Sequence, residues 1–220
     1  MNLQPEIIFE DNSIIVCYKP SGFATQTKNV AEQDMVSFLQ NYRASKGENT
    51  YIGVITRLDQ PVEGVLVFAK TKEAAAKLSK YLQQHMMAKK YYAVVTRAGF
   101  PESGTMVDYI VKDSVRSRAK VVNESDPRAK RAELRYKAVD QVDDRTLLDI
   151  ELITGRFHQI RCQLASRTAP ILGDVKYGGT RTGEPLCLAS YEISFLHPDT
   201  GEQMNYVVKP RGNGFKDFNI

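Results

Sequence analysis

The chain contains no apolar run approaching membrane-spanning length, no Pro/Gly/Ser-rich linker, no low-complexity segment and no evident internal repeat. These absences exclude a helical membrane span and favour one domain over residues 1–220, a length able to bury a full core. Cysteine is scarce: Cys17, Cys162 and Cys187 are odd in number and lack metal-ligand spacing, so reduced, mostly buried thiols in a cytoplasmic protein are expected. His85, His158 and His197 are scattered, and HExxH, CxxC, Walker and dinucleotide glycine patterns are all missing. No metal and no cofactor are therefore expected. The first residues, MNLQPEIIFEDNSIIVCYK, have neither a basic leader nor a long apolar stretch, which argues against a secretory signal.

A formal net charge of +4 is too small to identify a polyanion binder by itself. Its distribution says more. Lys112, Arg116, Arg118, Lys120, Arg128, Lys130, Arg131, Arg135 and Lys137 face only Asp113, Glu124, Asp126 and Glu133 in one segment. A second cluster, Lys89 and Lys90, runs into Tyr91 and Tyr92, and basic side chains beside aromatics suit phosphates and unstacked bases. The alternative for either cluster is a solvated charged face.

Strand-like runs fall at Ile7–Phe9, Ser13–Tyr18, Val65–Ala69, Tyr91–Thr96, Met106–Val111, Ala132–Val139, Thr146–Ile153, Leu186–Phe195 and Met204–Val208. Asp143 and Asp144 read as the tip of a hairpin. Helices are expected at Gln33–Ala44, with Val36, Leu39 and Tyr42 on one side, at Lys72–Met87 after an N-capping Thr71, and after Gly155. In the last, Phe157, Ile160 and Leu164 should face the core, while His158 and Arg161 share another face. Many antiparallel runs with few helices indicate an α+β domain built on a large mixed sheet.

The segment GVITRLDQPVEGVLVFAK, Gly53–Lys70, carries the chemistry. It sets Arg57 and Asp59 on a polar loop before a buried strand, and a carboxylate so placed needs a cationic or hydrogen-bonding partner. Alone, Arg57-Leu58-Asp59 would read as a structural ion pair. In order with IIVCYKPSGFATQ from Ile14, KKYYAV from Lys89, TGRFHQIRCQLAS from Thr154 and PILGDVKYGG from Pro170, it resembles the RluA family of RNA pseudouridine synthases. The resemblance runs from about Ile14 to Glu202, through the closing ISFLHPDTGE.

The resemblance implies a pseudouridine synthase-type fold: a large, mostly antiparallel mixed sheet flanked by a few helices, with a central RNA-binding cleft. It implies a cofactor-free, monomeric enzyme that isomerises uridine in a stem-loop of rRNA or tRNA. Asp59 takes the place of the catalytic aspartate, Tyr91 of the tyrosine that packs on the uracil, and Arg161 of the arginine paired with the catalytic carboxylate. Arg57 corresponds to the arginine that helps displace the target base, and Lys19, Lys89, Arg156, Arg116, Arg118 and Lys120 are further candidates for contacting RNA. An N-terminal RNA-binding domain of the S4 type is expected to be absent. The chain departs from the family at Thr56, where histidine is common, at Val62-Glu63, where Thr-Ser is common, and at Phe157, a frequent threonine. Glu63 would repel a phosphate if it faced the cleft. Thr56, Val62 and Glu63 favour the alternative of a non-catalytic RNA-binding or ribosome-assembly protein. A glycoside hydrolase using Glu63 as a second acid is a more distant one.

Overall fold

The computed structural model describes residues 4–27, 29, 32–179, 183 and 185–220. In chain order its elements are β1 (Glu6–Glu10), β2 (Ile14–Lys19), α1 (Met35–Ser45), β3 (Gly53–Val54), β4 (Glu63–Ala69), α2 (Lys72–Gln83), β5 (Ala88–Val95), β6 (Ser103–Asp113), β7 (Arg118–Val122), β8 (Lys130–Val142), β9 (Arg145–Leu152), α3 (Gln159–Ala165), β10 (Leu188–Leu196) and β11 (Gln203–Val207). Short 3-10 turns at Val175–Tyr177 and Asn213–Phe215 complete it. Strands dominate, and the class is α+β. None of the described helices is long and apolar enough to cross a membrane. The chain divides into two compact units, Met1–Lys89 with Ser190–Pro210, and Lys90–Ala189 with Arg211–Ile220.

In the first unit β1 lies antiparallel to β2, β2 to β4, and β10 to β11, while β3 takes the other edge of β4. Every residue of β2 and β4 is buried, which explains why both read as continuous rather than alternating apolar runs. Val16, Val65 and Val67 pack with Ala74 and Leu78 of α2 and Phe195 of β10. Thr71 caps α2 as expected, its hydroxyl accepting from Ala74 N at 3.1 Å. The helix ends at Gln83 rather than Met87, because His85 takes a left-handed φ of 57° that turns the chain toward β5. α1 carries a capping box between Asp34 and Ser37. It buries Met35, Leu39 and Arg43 instead of the Val36, Leu39 and Tyr42 stripe. Arg43 can be inside because its guanidinium donates to Tyr51 O, Lys70 O and Glu48.

In the second unit the strand order is β5-β9-β8-β6-β7, antiparallel throughout. The β8–β9 hairpin closes over Asp143 and Asp144, with Val142 opposite Arg145 and Asp143 at φ 54°. α3 lies against one side of this sheet, where Cys162 packs with Ile110, Ala119 and Ala132. β7 has no counterpart among the sequence-derived strands. Its RAKVV lacks an alternating apolar pattern because it is the outermost strand of this order, and polar edge strands are common.

Gly64 fixes how closely β4 is approached. It sits at φ +130°, and a Cβ there would lie 2.1 Å from Ser190 O. Gly64→Ala should therefore cost at least about 2 kcal/mol, since both the backbone and the packing would be strained. An unchanged urea midpoint would contradict this.

Candidate active site

Asp59 sits on the loop between β3 and β4, and the backbone on both sides of it is held. Leu58 is tied twice to Thr25, whose hydroxyl donates to Leu58 O at 2.9 Å and accepts from Leu58 N at 3.1 Å. Gln60 O accepts from Gly22 N at 2.9 Å and from Lys19 Nζ at 3.0 Å. Ser21 Oγ donates to Pro61 O at 2.8 Å, and Val62 N closes the turn onto Asp59 O at 3.0 Å. Leu58 and Val62 anchor the loop in the interior. The Asp59 side chain is half-buried, and Arg57 is exposed on the same loop.

Lys19 is not where a phosphate ligand would be. It is fully buried, and its ammonium donates to Pro20 O at 3.0 Å, Phe23 O at 2.5 Å and Gln60 O at 3.0 Å, using all three of its protons. Burial brings its pKa down to about 7, against the opposing pull of the Asp59 and Glu63 carboxylates. Its role is to brace the Pro20–Phe23 turn against the Asp59 loop. Glu63 is also inside, 2 % exposed, and accepts a hydrogen bond from the Tyr18 hydroxyl. The repulsion feared from Glu63 therefore has no exposed charge behind it, and Glu63 is equally unsuited to act as an accessible second acid. The Thr56 hydroxyl is buried with no hydrogen-bond partner among the described residues.

In the second unit Tyr91 is buried on β5, opposite Ile150 of β9. Arg161 is 5 % exposed on α3 and forks Asp174, with Nε to Oδ2 at 2.7 Å and Nη2 to Oδ1 at 2.8 Å. Asp174 was not singled out from the sequence. Its signal was present, since a carboxylate in the short segment ILGDVKYGG needs a partner once that segment is buried. Thr25 left no comparable signal, because a hydroxyl that laces two loops looks like any surface threonine in sequence.

The remaining candidates separate by environment. Arg116 and Lys120 are exposed on the β6–β7 hairpin, and Arg118 is half-buried with its guanidinium 5.4 Å from the Tyr177 ring centre. Arg156 is exposed and gives Nε to Arg131 O at 2.9 Å. Lys89 is half-buried, and burial lowers its pKa. Further along the basic segment, Arg128 pairs with Asp126, Arg131 with Glu133 and Arg135 with Glu151. Lys130 and Lys137 are exposed on the same stretch, so positive charge is presented both there and at the hairpin. Cys17, Cys162 and Cys187 are buried thiols outside any disulfide. Among the described residues no group of three or more His, Cys, Asp or Glu side chains is placed to hold a metal ion.

The RNA pseudouridylate synthase family model matches residues 13–166. Ribosomal large subunit pseudouridine synthase D of Zymomonas mobilis is 30 % identical over 216 residues, covering 91 % of this chain and 68 % of that protein. tRNA pseudouridine synthase C of Yersinia pestis is 29 % identical over 224 residues, covering 93 % and 86 %. Among solved structures, human RNA Pseudouridylate Synthase Domain Containing 4 superposes with a TM-score of 0.77 at 23 % identity, covering 94 % of this chain and 89 % of that one. This last likeness concerns the fold.

Two measurements test the braces. Removing Asp174 leaves a buried guanidinium without its fork, so Asp174→Ala should lose about 3 to 5 kcal/mol in denaturant unfolding, and a loss within error of zero would contradict it. For Lys19 the folded pKa, about 7, lies below the ordinary value of 10.5, so the unfolded chain binds more protons between those limits. The unfolding free energy of the wild type relative to Lys19→Met should therefore rise with pH across that window. A flat difference would place the Lys19 pKa outside it.

Proposed function

The chain belongs to the RNA pseudouridylate synthase family, and we propose that it isomerises specific uridines in structured rRNA or tRNA, with Asp59 as the catalytic carboxylate. The observation that carries this reading is the fixed backbone around Asp59. Leu58 and Gln60 are each bonded to the Lys19–Thr25 segment, so a half-buried carboxylate is presented from a loop with little freedom to drift. Preorganisation of this kind is what a positioned nucleophile or base requires.

The reaction breaks the bond from N1 of uracil to C1′, turns the base and joins its C5 to the same sugar carbon. A carboxylate can begin it by attacking carbon or by taking the C2′ proton. Tyr91 and Arg161 serve in the roles that the family resemblance gives them, as the ring for the uracil and the cation for the carboxylate. A stacked uridine must first be flipped out, which costs a few kcal/mol. Arg57, exposed beside Asp59, is suited to take the vacated place, and Arg116, Arg118 and Lys120 to grip the surrounding phosphates. A single catalytic domain over residues 1–220, cytoplasmic and monomeric, is the corresponding proposal for organisation, location and state.

Structured RNA carrying tritium at C5 of uridine should release tritium with the wild-type protein, and Asp59→Asn should reduce the release by several orders of magnitude. Release by the mutant at the wild-type rate would remove Asp59 from the chemistry. Steeply salt-dependent binding to total cellular RNA with no isomerisation by the wild type would favour the non-catalytic reading instead.

A further inference from the structure

β7 is the outermost strand of the second unit, so half of its backbone N–H groups point away from the sheet. One of these, Ala119 N, donates to the Tyr177 hydroxyl at 2.6 Å. The same hydroxyl lies 2.9 Å from His158 Nδ1, just before α3. A phenol has one proton to give and lone pairs to accept, so accepting from Ala119 leaves that proton for the imidazole. Burial pushes the Tyr177 pKa up to about 12, which keeps the hydroxyl protonated near neutral pH.

Other contacts converge on the same place. The Arg118 guanidinium lies 5.4 Å and that of Arg161 5.1 Å from the centre of the Tyr177 ring. Lys176 Nζ donates to Ser117 O at 3.2 Å, at the hairpin turn. On β6, Lys112 Nζ sits 4.6 Å from the centre of the Phe157 ring, which stacks on His158 at 3.8 Å. The hairpin bearing Arg116, Arg118 and Lys120 is thus held close beside its turn by the segment around Tyr177. Its turn still projects, and Val115 is 97 % exposed.

We infer that Tyr177 is a positioning residue for substrate capture, its hydroxyl docking the edge of the β6–β7 hairpin so that the basic side chains meet RNA in a fixed arrangement. This rests on the reading that the hairpin grips RNA. The hydroxyl is not needed to hold Arg161, which keeps its own fork to Asp174. Loss of the hydroxyl should therefore act on RNA binding and spare turnover.

Tyr177→Phe keeps the ring and removes the hydrogen bonds. The KM for structured uridine-containing RNA should rise about three- to tenfold, the worth of one such bond, with kcat changed less than twofold. Amide exchange at Ala119 should quicken by a similar factor while that of Leu147 and Leu148 is unchanged. Unaltered KM and Ala119 exchange would overturn the inference. A uniform rise in exchange, with kcat and KM moving together, would overturn it too by marking Tyr177 as a packing residue only. The double variant Arg116→Glu, Lys120→Glu tests the underlying reading separately. If RNA binding survives that charge reversal, the hairpin is not the RNA grip, whatever Tyr177→Phe does to exchange at Ala119.

Discussion

The buried Lys19 ammonium holds three carbonyl oxygens at once, and through Gln60 O it ties the Pro20–Phe23 turn to the loop that carries Asp59. A lysine is costly to bury, and the depression of its pKa toward 7 records that cost. Three well-made hydrogen bonds and two nearby carboxylates offset it. The return is geometric: with Thr25 on Leu58 and Lys19 on Gln60, the residues on either side of Asp59 have no independent freedom. A carboxylate on an ordinary exposed loop would sample many positions, and fixing it at the moment of reaction would add to the barrier.

The second unit uses buried charge in the same way. Arg161 lies in a helix of seven residues, too short to be stable alone, and Asp174 holds its guanidinium in a fork with both partners shielded from water. Three residues later Tyr177 secures the edge of the basic hairpin. One short stretch, Asp174–Tyr177, therefore holds a buried cation at one end and a surface feature at the other. The roles have different chemistry: the fork is a charge pair protected by burial, whereas the phenol satisfies a backbone donor that an edge strand would otherwise leave to solvent.

The departures from the family's wording are local in effect. Val62 and Glu63 turn inward, so their change alters packing beneath the loop rather than the charge presented to RNA. Phe157 is accommodated between His158 and Lys112, where it braces the hairpin. Thr56 is the one departure with a visible cost, a buried hydroxyl with no partner among the described residues.

Much of the fold was legible in the chain itself. Continuous apolar runs marked β2 and β4, Thr71 marked the start of α2, and paired aspartates marked the β8–β9 turn, because each depends on neighbours within a few residues. β7 was not legible, since a polar edge strand exists only by virtue of the sheet beside it. At the candidate site the motif order singled out Asp59, Tyr91 and Arg161, and placed Lys19 among residues reaching outward. Which way a lysine points depends on what surrounds it, and the surroundings here are carbonyls drawn from Pro20, Phe23 and Gln60, the last distant in sequence. The same holds for Thr25 beneath Leu58 and Asp174 beneath Arg161. Sequence by itself determined the residue types that carry charge and the local periodicity of most elements. Tertiary structure alone decided which of those charges are buried and braced and which remain free, because desolvation and hydrogen bonding are set by neighbours that chain order does not reveal.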